Sequence, residues 1–346
     1  MRYAYLGDTG LIVSVVGFGG IPLQRLPMRR ARELVSEALR LGVSFFDTAR
    51  GYGDSECKIG ESASRWQLPT VIATKSYCRT AHEARRHVEG SLRRLKLESI
   101  ALFQIHHVSR QQDLDRILAP EGALDGLVRL KGEGKLAHIG ITGHNAQLLL
   151  EALSASRQFE TVQFPLNIVE CDEATRKLIA WCNKHQIGTI AMKPFAGGLI
   201  EQKALSLRWA LEQGIDVVIP GVAASLELQE NVRQGDKVPP LSREELHCLE
   251  QATVTLKGEL CRRCMYCIPC PAGIPIHVVQ ELGDKVQLPV PEVQMLCREQ
   301  YARMRNQVTE CQHCGQCEQR CPYNLPVRAM LRHKHELLAA GSKDVC

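Results

Sequence analysis

A long apolar run is the first feature that the sequence lacks. No segment approaches the ~20 consecutive apolar residues that cross a lipid bilayer. The opening stretch, MRYAYLGDTGLIVSVVGFGG, also lacks the basic region followed by an apolar region that is typical of a secretory signal. Both absences argue against membrane insertion and secretion, and we expect a cytoplasmic protein.

Concentrated charge of one sign is also missing. The net charge is only +5 over 346 residues, and lysine and arginine form no block. Proteins that bind nucleic acids or anionic membranes usually concentrate basic residues on one surface or segment. The sequence therefore predicts neither a nucleic-acid partner nor a membrane partner. Its 45% hydrophobic and 23% charged residues are ordinary for a globular protein.

Cysteine is sparse in the first 260 residues and dense after them. Ten of the 15 cysteines follow residue 260. In a reducing compartment, clustered cysteines indicate metal ligands before they indicate disulfides. The five scattered early cysteines are interpreted as small core side chains. They are Cys57, Cys78, Cys171, Cys182 and Cys248.

Short β-rich segments alternate with amphipathic helical segments up to about residue 237. Eight such strand–helix units over about 220 residues fit a (β/α)8 TIM barrel. A doubly wound sheet would require a G-x-G-x-x-G turn after its first strand, and GFGGIPL carries a proline at position 22. We predict an α/β fold with a barrel at 1–255 and a small α-helical domain at 256–346.

Polar side chains follow three successive predicted strands. Asp47 ends the second strand, Tyr52 lies in the loop beyond it, Lys75 ends the third, and His106 and His107 end the fourth. Singly, such residues often cap helices, face solvent or pack in a core. Together, at the barrel face where active sites lie, they indicate proton transfer to a carbonyl oxygen. A phenol has a pKa of about 10, which a neighbouring ammonium lowers, and the resulting acid requires a hydride donor.

These segments resemble the aldo-keto reductase family over residues 1–235. The similar segments, in family order, are YLGDTGLIVSVVGFGG, FFDTARGYGDSE, ATKS, FQIH, GKLAHIGITGHN and IPGVAASLELQENV. The resemblance implies a catalytic tetrad of Asp47, Tyr52, Lys75 and His106. It also implies NAD(P)H bound across the barrel mouth without a Rossmann domain. The cofactor-binding residues that it implies are Gly19, Gly20, Thr142, Gln163, Met192, Phe195, Gly197, Gly198, Glu227 and Asn231.

Several positions depart from the family pattern. Met192 stands where many members place an aromatic ring under the nicotinamide, and a thioether can also pack on a ring face. Thr142 and Gly143 replace the usual Ser-Asn pair. Gly221 and Glu227 stand where NADPH-dependent members carry basic residues for the 2′-phosphate. Because an anion disfavours that phosphate, the sequence favours NADH over NADPH.

Two cysteine runs follow the predicted barrel, C-x2-C-x2-C-x2-C-P from Cys261 and C-x2-C-x2-C-x3-C-P from Cys311. The second spacing is that of bacterial ferredoxins, in which the fourth cysteine of each run ligates the other cluster. Zinc is the alternative, since C-x2-C pairs also hold zinc. We predict two 4Fe-4S clusters with eight ligands. These are Cys261, Cys264, Cys267, Cys270, Cys311, Cys314, Cys317 and Cys321.

Helical segments between and after the runs resemble the helical two-cluster ferredoxins, and Cys297 is expected to be a core thiol in one of these helices. The whole chain then resembles the iron–sulfur branch of the aldo-keto reductases. That branch implies an oxidoreductase that transfers hydride between NAD(P)H and a carbonyl or alcohol substrate. The clusters would relay electrons, with a possible redox partner protein, or serve structure. The alternative is a redox- or iron-sensing binding protein with a non-catalytic barrel.

Overall fold

The computed structural model describes residues 1–63, 69–236, 239–261, 263, 267–321 and 323–340. The chain divides into two compact units. The first comprises Met1–Phe195 and Gln202–Leu249, and the second comprises Ala196–Glu201 and Glu250–Cys346. Among the described residues, no helix combines the length and the apolar character needed to cross a membrane.

An antiparallel hairpin, β1 (Tyr3–Tyr5) and β2 (Ile12–Ser14), precedes the central sheet of the first unit. Leu6 and Val13 of this region pack with apolar side chains from the barrel interior, such as Leu102. The hairpin therefore contributes to the apolar core of the barrel.

Eight parallel strands form the central sheet, and each strand pairs with its neighbours in chain order. They are β3 (Phe18–Gly19), β4 (Phe45–Asp47), β5 (Val71–Ser76), β6 (Ile100–Ile105), β7 (Leu136–Thr142), β8 (Thr161–Pro165), β9 (Gly188–Met192) and β10 (Val217–Ile219). Parallel bridges between Val16 and Val218 and between Gly19 and Gly221 join the first and last strands. The predicted barrel is confirmed. A Cβ at position 19 would lie 2.5 Å from the Pro220 carbonyl oxygen, so closure itself requires glycine there.

Helices surround the strands and bury their apolar faces in the core between the two layers. They are α1 (Met28–Arg40), α2 (Ser55–Ala63), α3 (Ala81–Leu95), α4 (Gln111–Leu118), α5 (Ala123–Gly132), α6 (Ala146–Ala155), α7 (Glu173–His185), α8 (Lys203–Leu211) and α9 (Ser225–Gln234). A further helix, α10 (Arg243–Glu259), follows, and the predicted domain boundary at residue 255 falls within it. Thr80 and Glu83 form a complete capping box at the start of α3, where a side chain and a backbone amide bond each other reciprocally.

Two expectations for the first 260 residues are wrong in detail. The sequence predicts a single strand over the segment IVSVVGF (residues 12–18). The structure divides this segment, because β2 pairs with β1 while β3 enters the barrel. Cys248 is exposed and is not a core side chain, whereas Cys78 and Cys182 are buried as expected. Cys57 and Cys171 are half-buried.

The second unit is helical. Its helices are α11 (Ile276–Lys285), α12 (Pro291–Ala302), the short α13 (Gln316–Gln319) and α14 (Val327–Ala339). They enclose a small separate core that includes Val279 and Leu331. Cys297 lies in α12 and is 4% exposed, which confirms the expected core thiol. A buried ion pair, Lys334 Nζ to Asp284 Oδ1 at 2.9 Å, links α14 to α11.

Candidate active site and candidate metal centre

The barrel register brings three predicted site residues to one edge of the sheet. Asp47 is the last residue of β4, Lys75 is the penultimate residue of β5, and His106 directly follows β6. Asp47 pairs in register with Ala73, two residues before Lys75. Since all barrel strands run in parallel, these side chains lie together where the strands end.

Lys75 and Asp47 form a buried ion pair. Lys75 Nζ lies 2.5 Å from Asp47 Oδ1 and donates a second hydrogen bond to the Thr48 carbonyl oxygen at 3.0 Å. Lys75 is fully buried and Asp47 is 3% exposed. Burial lowers the pKa of the Lys75 ammonium, and the negative charge of Asp47 opposes that shift. Asp47 thus holds the lysine in position and favours its charged form.

Tyr52 and His106 complete the group. Lys75 Nζ lies 5.0 Å from the centroid of the Tyr52 ring. The Tyr52 and His106 rings meet edge to face, with centroids 5.9 Å apart. The structure therefore brings the four predicted tetrad residues together, and their catalytic roles stay a prediction.

His106 is held in its neutral form. Burial and the nearby positive charge of Lys75 lower its pKa well below the ordinary 6.5. Its Nδ1 atom is buried, and no described residue provides it with a hydrogen-bond partner. A neutral imidazole at a barrel mouth can orient a carbonyl oxygen without competing with the tyrosine as an acid.

A row of aromatic rings beside the tetrad was missed by the sequence analysis. Tyr77 is 55% exposed and stacks on His106 at a centroid distance of 4.4 Å. The His107 ring lies 6.3 Å from that of Tyr77 and 5.3 Å from that of His144. The signal was present in the sequence, because Tyr77 comes two residues after Lys75 and directly follows the same strand.

Two expected cofactor residues, Thr142 at the end of β7 and Gln163 in the middle of β8, are buried in a polar network. Gln163 accepts a hydrogen bond from Gln104 Nε2 at 2.9 Å and donates one to the half-buried Met192 Sδ at 3.7 Å. Gln163 also donates a side-chain hydrogen bond to Asp47. Burial raises the pKa of the Asp47 carboxyl, and this hydrogen bond, like the charge of Lys75, opposes that shift. Thr142 Oγ1 accepts a hydrogen bond from the His107 backbone amide at 2.9 Å.

The remaining expected cofactor residues differ in their surroundings. Glu227 Oε2 accepts a hydrogen bond from the Ala223 backbone amide at 2.9 Å, and Glu227 Oε1 lies 3.6 Å from Lys203 Nζ. Asn231 is 5% exposed, and its Nδ2 has no hydrogen-bond partner among the described residues. Phe195 packs in the apolar core of the first unit.

The four glycines on the expected list have backbone roles of their own. A Cβ at Gly20, like one at Gly19, would lie 2.5 Å from a backbone oxygen, here that of Asp47. Gly197 and Gly198 belong to the second unit and adopt positive φ angles of 78° and 106°. These conformations favour glycine whether or not a cofactor is bound.

The cysteines of the second unit line two cavities. Cys261, Cys267 and Cys321 line the first cavity. The second cavity is lined by Cys267, Cys270, Cys311, Cys314 and Cys317. Each cavity therefore takes thiols from both cysteine runs. Cys264 lies outside the described residues.

The two cavities fit a thiolate-held inorganic cluster. Apolar side chains such as Ile276 line both of them, and such an environment excludes water from a cluster. In the described part of the chain, no three His, Cys, Asp or Glu side chains already converge on a single-ion site. The fit therefore depends on the thiols around the cavities, and ligation by the eight predicted cysteines stays a prediction.

Comparisons with known proteins agree with both units. Residues 15–205 match the model of the aldo/keto reductase family, and residues 260–326 match that of a 4Fe-4S dicluster domain. L-galactose dehydrogenase of Arabidopsis thaliana is 32% identical over 216 residues, which cover 57% of this chain and 66% of that protein. The uncharacterized oxidoreductase YrpG of Bacillus subtilis is 31% identical over 237 residues, covering 59% and 70%. The solved structure of aldo-keto reductase AKR11C1 from Bacillus halodurans has a TM-score of 0.63 at 22% identity, covers 73% of this chain and 96% of that one, and supports the fold.

Proposed function

The chain belongs to the aldo/keto reductase family, and we propose that it transfers hydride between NAD(P)H and a carbonyl or alcohol carbon at the barrel mouth. The observation that carries this proposal is the buried Lys75–Asp47 pair beneath the Tyr52 ring. An apolar side chain at position 75 could fill the same buried space without the cost of burying a charge, so packing alone does not require the ammonium. It does suit a phenol that must release a proton.

The side chains divide the proton chemistry among them. NAD(P)H, when bound, supplies the hydride for reduction of the carbonyl carbon. Tyr52 Oη donates its proton to the substrate oxygen, and the phenolate left behind is stabilised by Lys75 Nζ. Asp47 holds Lys75 in place, and neutral His106 orients the substrate oxygen. In the oxidative direction Tyr52 accepts the proton from the alcohol.

Several residues of the first unit fit the cofactor. Asn231 offers a buried amide without a protein partner in the described chain, which suits recognition of a polar group. Met192 can pack its thioether against a planar ring. Glu227 places a carboxylate where a 2′-phosphate would be repelled, so we propose NADH as the preferred cofactor.

We further propose that the substrate is a small hydroxylated carbonyl compound. The name of the Arabidopsis relative gives a sugar, L-galactose, as the compound that it oxidises. The exposed Tyr77 ring, stacked on His106, offers a flat apolar surface on which the C–H face of such a compound can pack.

For the second unit we propose two 4Fe-4S clusters. Cys261, Cys264, Cys267 and Cys321 would hold one, and the remaining four predicted ligands would hold the other. A cluster transfers one electron whereas a hydride carries two, and the sequence contains no flavin motif. We therefore propose a structural or regulatory role during turnover, with electron exchange with a redox partner protein as the competing role. Thiolates in these numbers suit the reducing cytoplasm.

The test is isotope transfer. The protein, reconstituted anaerobically with iron and sulfide, is incubated with 4-deuterated NADH and a panel of hydroxylated aldehydes and ketones. We expect deuterium in the alcohol product, detected by mass spectrometry. Quenching of NADH fluorescence without deuterium transfer to any carbonyl would instead support the sensing alternative. Retention of transfer in Cys311→Ser and Cys314→Ser variants would exclude an obligatory electron relay.

A further inference from the structure

Gln280 is a buried amide whose polar atoms are not satisfied. It lies in α11 and is 1% exposed. Neither its Nε2 nor its Oε1 finds a hydrogen-bond partner in the described chain. Buried side-chain amides are nearly always hydrogen-bonded, because an unpaired buried polar group is costly. Since Gln280 finds no hydrogen-bond partner in the described chain, a bound group is expected to supply one.

The side chain of Gln280 lines the first cysteine cavity. Cys261, Cys267 and Cys321 line the same cavity, and so do the apolar side chains of Leu325 and Met330. Arg263, His277 and Tyr323 also line it, and none of them is hydrogen-bonded to the Gln280 amide. A group bound in the cavity is therefore the natural partner for that amide. Sulfur atoms of an anionic cluster accept N–H hydrogen bonds, and a low local dielectric strengthens them.

We propose that Gln280 Nε2 donates a hydrogen bond to a sulfur of the cluster held by Cys261, Cys264, Cys267 and Cys321, and thereby raises its reduction potential. This inference rests on the proposed presence of the clusters. A donor beside the sulfurs stabilises the more negative, reduced form of the cluster. Gln280 is thus a positioning and tuning residue and not a cluster ligand.

The second cavity differs in this respect. The glutamine that lines it, Gln312, is exposed to solvent. Water can already satisfy an exposed amide, so removing Gln312 should change the second cluster little. Gln312 therefore provides a matched control in the same unit.

The experiment compares the Gln280→Met and Gln312→Met variants with the wild type after anaerobic reconstitution. Iron and sulfide are quantified first, and reduction is then followed by EPR during a redox titration. At a fixed potential, Gln280→Met should lower the ratio of reduced to oxidised form about tenfold for one cluster, which corresponds to about 59 mV for a one-electron couple. The other cluster, and both clusters in Gln312→Met, should titrate as in the wild type.

A second readout does not depend on potential. Pulsed EPR on protein labelled with 15N in glutamine side chains should detect a nitrogen coupling in the wild type that disappears in Gln280→Met and persists in Gln312→Met. Gln280→Leu repeats both measurements in case the Met variant does not fold. Unchanged potentials and coupling in loaded variants would overturn the role of Gln280 while leaving the clusters in place. A wild type that takes up no iron or sulfide would overturn the cluster assignment itself.

Discussion

In the first unit the charged side chains of the candidate site already satisfy each other. Lys75 is fully buried and still bonded to Asp47 and to a backbone carbonyl. In the second unit, cysteine side chains surround cavities, and Gln280 has no partner in the described residues. The two units therefore show two ways of preparing a site: one is preorganised by the polypeptide, and the other depends on what it binds.

The difference extends to the cores. An extensive apolar core lies between the strands and helices of the barrel. The second unit buries far fewer side chains, and several of its cysteines pack at the margin of its core. Small domains of this kind commonly need a metal centre to be stable, since metal binding supplies folding free energy.

The largest expected effect is removal of iron from the reconstituted protein. We expect the second unit to lose its ordered structure while the barrel remains folded, because structural metal sites in small domains contribute on the order of 10 kcal/mol. Hydrogen exchange measured by mass spectrometry would show lost protection in α11 and α14 and retained protection in β6 and β7. Equal protection of α11 with and without iron would show that the second unit, like the barrel, does not depend on iron for its order.

Tyr52→Phe tests the preorganised site. We expect turnover with a carbonyl substrate to fall about 10²- to 10⁴-fold, since the variant lacks the proton donor. NADH binding, followed by fluorescence, should be unchanged. Tyr5→Phe, at a position 66% exposed, is the control and should retain full activity. An active Tyr52→Phe enzyme would contradict the proposed proton donor.

Lys75→Met tests the ion pair as a structural element. The variant leaves the Asp47 carboxylate buried without its partner, and we expect a loss of about 3–5 kcal/mol in the free energy of unfolding. Replacing both residues, as Lys75→Met with Asp47→Leu, should recover much of that loss while activity stays absent. Lys96→Met breaks an exposed pair with Glu61 and should change the free energy of unfolding far less. Urea denaturation of the barrel measures all three.

His106 gives the barrel a pH dependence. Its pKa in the folded protein lies well below 6.5, so the unfolded chain binds this proton more readily. The contribution of His106 to the free energy of unfolding is therefore fully present above pH 6.5. It declines as pH falls towards the pKa of the folded protein, by at most about 1.4 kcal/mol per pH unit.

The His106→Gln variant should show a shallower decline between pH 6.5 and about 5, where carboxyl groups with ordinary pKa values are still ionised. Burial also lowers the pKa of His87, so His87→Gln serves to separate that contribution. Identical pH profiles for wild type and His106→Gln would show that the imidazole is not held neutral.

The smallest expected effect concerns cofactor preference. Glu227→Gln removes one negative charge while keeping the side-chain size. We expect kcat/KM with NADPH to rise several-fold relative to NADH, in line with about 1 kcal/mol for one charge pair near water. Glu230→Gln, at an exposed position of the same helix, is the control. An unchanged ratio of the two kcat/KM values would show that Glu227 does not discriminate against the 2′-phosphate.

Much of the fold could be predicted because it depends on repeated local patterns. The alternation of strands and helices indicated the barrel, and its eight parallel strands pair in chain order. The hairpin β1–β2 was missed because a short apolar run does not show whether it pairs locally or enters a barrel. Tyr77 and Gln280 were missed because their importance arises from what surrounds them in three dimensions, which has no periodic signature.

Because each of the two cavities is lined by cysteines from both runs, the structure also bears on when iron could be bound during synthesis. Cys321 from the second run lies with Cys261, and Cys270 from the first run lies with Cys311. On the proposed ligand assignment, each cluster takes thiolates from both runs, so iron loading would have to follow the emergence of residue 321 from the ribosome.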